Sequence, residues 1–302
     1  MIIIEKASDK ILKKLIGILL WNNHFYGICI VALSICSSLY LTGQIPSLTF
    51  LAMVYFGTVV YYTNAYFNEN INDQNKDRVI WYQKNYAYLK IRQWVFGITT
   101  TAIFIFSIYQ NPSLLSFDII PLGLLGFSLF LSYLYSFPKF QNNGLLKSSI
   151  IAFVWTIIGA YLPVYFKRSG EFENMNLIVI ALYCLQLFLF IFLLAVLFDI
   201  KDIETDLSGN KKTLVLQIGL NKIMPFLVLP YIGTSLIIDY KLANSFSFTS
   251  IIWLLHYIFY LIVYLVSKKA LTESQISSSI LLVDGLMLVK ATIGIVSWYI
   301  IH

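Results

Sequence analysis

Charged residues are scarce in this sequence. Asp, Glu, Lys and Arg together make up 12% of its 302 residues, whereas soluble domains carry roughly a quarter. Hydrophobic residues make up 59% of the chain, and they are concentrated in long runs. This composition excludes an ordinary soluble domain and indicates an all-α, polytopic membrane protein.

The sequence also has few cysteines. The three cysteines are all in apolar runs (Cys29, Cys36 and Cys184), and no Cys or His spacing matches a zinc site. The basic segment 1–14 has no cleavage site, so we do not expect a signal peptide. The net charge of +6 is spread over loops, which is explained by membrane topology without a nucleic-acid partner.

Apolar runs long enough to cross a membrane occur at about nine places. The predicted spans are 15–42, 47–67, 94–110, 119–137, 146–166, 177–198, 223–240, 249–267 and 278–301. If the N-terminus is cytoplasmic, seventeen Lys and Arg residues fall on the cytoplasmic side and three on the other. This bias predicts a multi-pass protein of the cell inner membrane with its N-terminus in the cytoplasm.

A dense acidic cluster follows the sixth predicted span. Residues 177–197 contain no charged side chain, and three aspartates come directly afterwards. If the helix continues, Asp199, Asp202 and Asp206 sit at i, i+3 and i+7 and share one stripe. Carboxylates this close repel one another unless water or cations lie between them. The stripe therefore predicts a site for Mg²⁺, which oxygen ligands hold beside a phosphate.

A second polar stretch follows the second predicted span, and both stretches face the cytosol in this topology. Asn64, Asn68 and Asn72 recur every four residues and form a stripe of amide oxygens. A stripe of carboxylates runs beside it, offset by one residue: Glu69, Asp73 and Asp77. The two stretches are separated by four spans. We therefore expect two halves of a helical bundle, each contributing one metal-binding helix end.

Two motifs and a short element between them resemble those of a known family. The first is the run 64–72, followed by Lys76 and Arg78. Between the first and second motifs lies the element Tyr135-Ser-Phe-Pro-Lys139. The second motif is Asp199-x-x-Asp202-x-x-x-Asp206, followed by Gly209, Lys211, Lys212 and Thr213. Together they resemble the UbiA superfamily of intramembrane prenyltransferases, whose signatures are N-D-x-x-D-x-x-x-D, Y-x-x-x-K and D-x-x-D-x-x-x-D.

The resemblance covers essentially the whole chain and implies one domain, 1–302, of about nine transmembrane helices around a central cavity open to lipid. It also implies that the aspartate motifs hold Mg²⁺ and bind a polyprenyl diphosphate donor. Departure of the diphosphate would leave an allylic cation that alkylates a hydrophobic acceptor, aromatic or lipid. Tyr135 and Lys139 would join the three aspartates as catalytic residues. Four further cationic residues would bind the diphosphate: Lys76, Arg78, Lys201 and Lys211.

The first motif departs from the family pattern. Ala65, Asn68 and Asn72 stand where the family carries aspartates. Amide oxygens without charge hold Mg²⁺ less firmly, and Asp73 compensates only in part. Three readings therefore stay open: a prenyltransferase with a weakened first metal site, a membrane terpene cyclase of the same fold, and a non-catalytic prenyl-lipid-binding relative.

Two charged residues fall inside the last predicted span. Asp284 and Lys290 are costly in lipid, so we expect them to face protein or water. They are six residues apart and do not share a helix face, so we predict no direct pair between them. For the lone histidines His24 and His256 we expect structural or interfacial roles.

Overall fold

The computed structural model describes residues 17–67, 76–110, 119–134, 143–166, 176–208, 212–272 and 280–302. The part of the chain that it describes is 93% helical and contains no strand. This confirms the predicted all-α class. A helix satisfies all of its backbone hydrogen bonds internally, as a chain surrounded by lipid requires.

The helices are numbered here in chain order. They are α1 (His24–Thr42), α2 (Leu48–Phe67), α3 (Lys76–Lys84), α4 (Tyr86–Gln110), α5 (Ile119–Leu134), α6 (Gly144–Phe166), α7 (Leu177–Asp199), α8 (Ile203–Ser208), α9 (Leu214–Ile218), α10 (Leu220–Phe246), α11 (Ser250–Thr272) and α12 (Gly285–Ile301). Single π-helical turns lie before α1 (Gly17–Trp21), within α6 (Ile157–Tyr161), within α10 (Met224–Val228) and before α12 (Ile280–Asp284).

Seven helices in the described ranges are long and apolar enough to cross a membrane: α1, α4, α6, α7, α10, α11 and the segment Leu281–Ile301. The protein is therefore an integral membrane protein. The other two predicted spans, 47–67 and 119–137, also coincide with helices. Helix α2 has 20 residues but carries Thr, Asn and Tyr side chains that lower its hydropathy, and α5 has only 16 residues. The inner membrane and the cytoplasmic orientation stay predictions.

The chain divides into two compact units, which we describe separately. The first comprises Met1–Val31 and Ser47–Pro112, and the second comprises Ala32–Pro46 and Ser113–His302. In the first unit α2 packs along α4. A Cβ atom at Gly27 would lie 2.6 Å from the Tyr55 ring, so a glycine is needed for this close approach. The single domain and the central lipid-open cavity stay predictions.

In the second unit α7 is the central helix and packs against α6 and α10. Apart from a few polar side chains such as Gln186, its residues are apolar on every face, which is typical of a helix surrounded by protein and lipid. The Oδ1 atom of Asn176 accepts a hydrogen bond from the Ile178 amide at 2.9 Å and caps the first turn. Phe190 and Leu197 on this helix are at most 1% exposed. The buried apolar run therefore fixes the position of the residues at its C-terminal end.

Candidate functional site

The three aspartates of the second motif follow one another where α7 ends. Helix α7 stops at Asp199, a 3₁₀ turn spans Ile200–Asp202, and α8 begins at Ile203. The predicted uninterrupted α-helical stripe is therefore broken by one tighter turn. Asp199 and Asp206 are only 2% and 4% exposed, and Asp202 is partly exposed. Buried carboxylates need cationic or hydrogen-bonding partners, so the surroundings of each one matter.

Asp199 forms a short ion pair with Lys147 of α6. The Nζ atom of Lys147 lies 2.6 Å from Asp199 Oδ1, and the two side chains are 20% and 2% exposed. The second carboxylate oxygen, Oδ2, is buried and has no hydrogen-bond partner among the described residues. One oxygen of Asp199 thus accepts a hydrogen bond from an ammonium group, and the other can still accept a bond from a further ligand.

The position of Lys147 depends on a backbone contact at the start of α6. The Gly144 amide donates a hydrogen bond to the Lys212 carbonyl at 2.8 Å. A Cβ atom at Gly144 would lie 2.0 Å from the Leu214 backbone nitrogen, so no side chain fits there. Asn143 Oδ1 caps the helix by accepting from the Leu146 amide at 3.2 Å. The segment after the second motif is thereby fixed to the helix that carries Lys147.

Lys201 is packed against its own neighbours in the second motif. Its Nζ atom lies 3.9 Å from Asp202 Oδ2 and 3.6 Å from the centre of the Phe198 ring. Its side chain is 3% exposed. A buried ammonium group beside a carboxylate and an aromatic face is stabilised by both contacts. Lys201 therefore lies next to one predicted metal ligand.

The first motif is described only at its beginning. Asn64 is exposed near the end of α2, and its Oδ1 atom accepts from Gln93 Nε2 at 3.3 Å. The other predicted ligands of this motif, Asn68, Asn72 and Asp73, lie outside the described residues, as do Tyr135, Lys139 and Lys211. Lys76 begins α3, but its side chain is outside the described part. Their roles stay predictions.

Arg78 is buried in the first unit. Its Nη2 atom donates to Asn23 Oδ1 at 2.6 Å, and its guanidinium lies 3.4 Å from the centre of the Tyr66 ring. Asn23 in turn donates to the Tyr82 hydroxyl at 2.8 Å and to Thr63 Oγ1 at 3.2 Å. Arg78 is predicted to bind the diphosphate, and these contacts hold its guanidinium in one orientation before the diphosphate binds.

A second buried arginine, which the sequence analysis missed, joins the same network. Arg92 donates to Asn22 Oδ1 and to Thr63 Oγ1, the latter at 3.0 Å, and its Nε atom has no hydrogen-bond partner among the described residues. The available signal was its position, because an arginine in a membrane-length helix must face protein or water. The predicted span begins at residue 94 and leaves Arg92 in a loop, whereas α4 begins at Tyr86.

Within the described side chains, no group of three or more His, Cys, Asp or Glu residues is arranged to hold a metal ion. The residues present fit a cation at one point. The Oδ2 atom of Asp199 is a buried carboxylate oxygen without a partner, and oxygen is the donor that Mg²⁺ prefers. Any further ligands would come from Asp202, Asp206 or residues outside the described ranges.

Comparison with known proteins gives one similar fold. No protein-family model matches the chain, and no curated protein matches it in sequence. The fold is similar to a solved structure of a digeranylgeranylglyceryl phosphate synthase in membranes, with a TM-score of 0.58 and 17% sequence identity. The match covers 95% of this chain and 99% of that one. At this identity the similarity establishes the fold.

Proposed function

We propose that the protein is a membrane prenyltransferase that requires Mg²⁺ and moves a prenyl group from a polyprenyl diphosphate to a hydrophobic acceptor. The observation that carries this proposal is Asp199, a buried carboxylate at the end of a membrane-spanning helix. One of its oxygens pairs with Lys147, and the other lacks a partner. The similar fold supports it, because the name of that enzyme describes geranylgeranyl groups joined to a glyceryl phosphate.

The residues of the second motif would work through charge. Magnesium, when bound by Asp199, Asp202 and Asp206, supplies positive charge that stabilises the diphosphate as it leaves. Lys147 holds the Asp199 carboxylate in a fixed orientation, with its partnerless oxygen buried. Lys201 balances the charge of Asp202. Fixed charges of this kind do not need to reorganise when the carbon–oxygen bond breaks.

The buried arginines of the first unit would bind the anion. Arg78 keeps the diphosphate-binding role assigned from the sequence, and Arg92 is added to it. The Arg78 guanidinium is oriented by the Asn23 amide oxygen, and the Arg92 guanidinium is oriented by the Asn22 amide oxygen and the Thr63 hydroxyl. Arginine is suited to this task because its planar group donates several parallel hydrogen bonds to phosphate oxygens.

The test measures diphosphate release by the purified protein in lipid nanodiscs, with Mg²⁺, isoprenyl diphosphates of increasing length and a lipid extract as the acceptor source. We expect release that stops in excess chelator. We also expect that Asp199→Asn and Asp202→Asn each lower it by about a hundredfold or more. Glu204→Gln is the matched control, because it removes one negative charge from the same stretch at an exposed position. Release that is unchanged in Asp202→Asn, or unaffected by chelator, would contradict the proposal.

Product analysis separates prenyl transfer from the other two readings. With a lipid extract as the acceptor source, mass spectrometry should detect a species enlarged by the prenyl group. A cyclic hydrocarbon or alcohol formed without any acceptor would instead identify a terpene cyclase. Binding of a prenyl lipid that persists in chelator, with no release of diphosphate from any donor, would identify a non-catalytic binding protein.

A further inference from the structure

The second unit contains a cavity well away from the aspartate motif. It lies between the second half of α1 and helices α7, α10, α11 and α12. Gln186, which lines it, precedes Asp199 by thirteen residues on α7, which is about 20 Å along the helix. The cavity has a volume of about 40 Å³. A single water needs roughly 10–15 Å³ of such space, so there is room for a group of a few heavy atoms.

The carboxylate in this cavity is already well supplied with hydrogen-bond donors. Asp239 Oδ1 accepts from Gln186 Nε2 at 2.6 Å. Asp239 Oδ2 accepts from the Tyr260 hydroxyl at 2.5 Å and from His256 Nδ1 at 2.9 Å. Because a carboxylate only accepts, the His256 nitrogen must carry the proton here. Three donors from two helices, α7 and α11, thus converge on Asp239 of α10, and most of its accepting capacity is used.

The ammonium group of Lys290, which also lines the cavity, lacks comparable hydrogen-bond partners among the described residues. Lys290 Nζ lies 5.4 Å from the centre of the Phe190 ring and 5.2 Å from that of Phe259. Among the described residues it makes no hydrogen bond and no ion pair.

Among the described residues, these contacts leave the Lys290 ammonium group without a hydrogen-bond acceptor. An ammonium group carries three N–H donors, and leaving it without an acceptor inside a membrane-spanning bundle is costly. The missing partner must therefore be an acceptor, and one that carries negative charge matches the ammonium best. A doubly charged phosphate does not fit, because Lys290 is the one lysine among the described residues that lines the cavity, and Asp239 lines it too.

We propose that this cavity binds the carboxylate group of a small amphiphilic acid, with the carboxylate on Lys290 inside the cavity and the apolar body leading out of it along the aromatic wall. That wall consists of Phe246, Phe248 and Phe259. The three heavy atoms of a carboxylate match the volume available, and pockets with apolar walls and a few polar groups are typical ligand sites. This site is separate from the proposed prenyl transfer and does not depend on it.

The test uses hexanoate, a soluble six-carbon acid, as the probe. Equilibrium binding of radiolabelled hexanoate is measured on the full chain in lipid nanodiscs, for the native protein and for Lys290→Met, Lys290→Arg and Lys222→Met. Lys222 is the matched control, because it is an exposed lysine on α10. We expect saturable binding that Lys290→Met weakens by about tenfold or more, since a charge-assisted hydrogen bond is lost. Lys290→Arg and Lys222→Met should retain binding.

Competition completes the design. Hexanol has the same chain without the charge and should fail to displace hexanoate. The absence of saturable binding, equal binding by Lys290→Met, or displacement by hexanol as effective as by hexanoate itself would each overturn the proposal. Lys290→Met should stay folded, because it removes a charge from the membrane interior. A thermal melt checks this. Diphosphate release, measured in parallel, reports on the aspartate motif alone.

Discussion

Removing either partner of the ion pair between Lys147 and Asp199 should lower the free energy of unfolding, but by different amounts. Replacing Lys147 by Met leaves a carboxylate that is 2% exposed without its cation. Removing one partner of a buried pair costs about 3–5 kcal/mol. Because Lys147 itself is 20% exposed, water screens the pair in part. We therefore expect Lys147→Met to lower the free energy of unfolding by about 2–3 kcal/mol.

Asp199→Asn should cost less than Lys147→Met. The ammonium group that it leaves behind is on a long, flexible side chain that can turn toward water, whereas the Asp199 carboxylate cannot. The double variant should recover much of the loss, because neither charge then stays buried alone. We expect a coupling free energy of about 2 kcal/mol between the two sites.

The measurement is unfolding in mixed micelles as the denaturing detergent is increased, followed by circular dichroism, for both single variants and the double variant. Lys241→Met, at an exposed lysine of α10, is the control for a general loss of charge. Mg²⁺ should stabilise Lys147→Met more than the native protein, because a cation can replace the lost ammonium group. The reasoning is refuted if Asp199→Asn costs as much as Lys147→Met, or if the two effects simply add.

Two further predictions concern backbone positions, and both are checked by the same unfolding measurement. Gly144→Ala should destabilise the protein by about 3 kcal/mol, because its Cβ would meet the Leu214 backbone nitrogen at 2.0 Å. Gly126→Ala, with nothing within 4 Å, should be neutral or slightly stabilising, and equal effects would contradict the steric argument. Asn23 has φ +61°, so Asn23→Ala should cost about 1 kcal/mol more than Asn23→Gly. If the two variants unfold alike, backbone strain contributes nothing there.

Local pattern predicted the membrane helices well. The uncharged run that begins at Leu177 predicted α7, and its first residue is also the first residue of the helix. Such a run specifies a span because apolar side chains and internal backbone hydrogen bonds are all that lipid accepts. The start of α4 was missed because Arg92 and its polar neighbours look like a loop, while their side chains are accommodated by contacts with other helices.

Partners distant in sequence could not be predicted from pattern. The three aspartates were recognised as a group, but the ion pair to Lys147 joins residues 52 positions apart. The 3₁₀ turn at Ile200–Asp202, which interrupts the stripe, also has no signal in the residue spacing. Lys290 was predicted to face protein or water, and its position in the cavity agrees with that, but its two aromatic neighbours come from α7 and α11. Tertiary packing decided these features.

The order of Lys147 and Asp199 along the chain bears on how the protein enters the membrane. During synthesis, helices emerge from the N-terminal side first. Helix α6 therefore reaches the bilayer before α7, and the ammonium group of Lys147 is in place when the carboxylate of Asp199 arrives. A helix that ends in an aspartate inserts less readily when it is alone. Exchanging the two residues would deliver the carboxylate first, without its partner, and should slow insertion even though the finished protein contains the same pair.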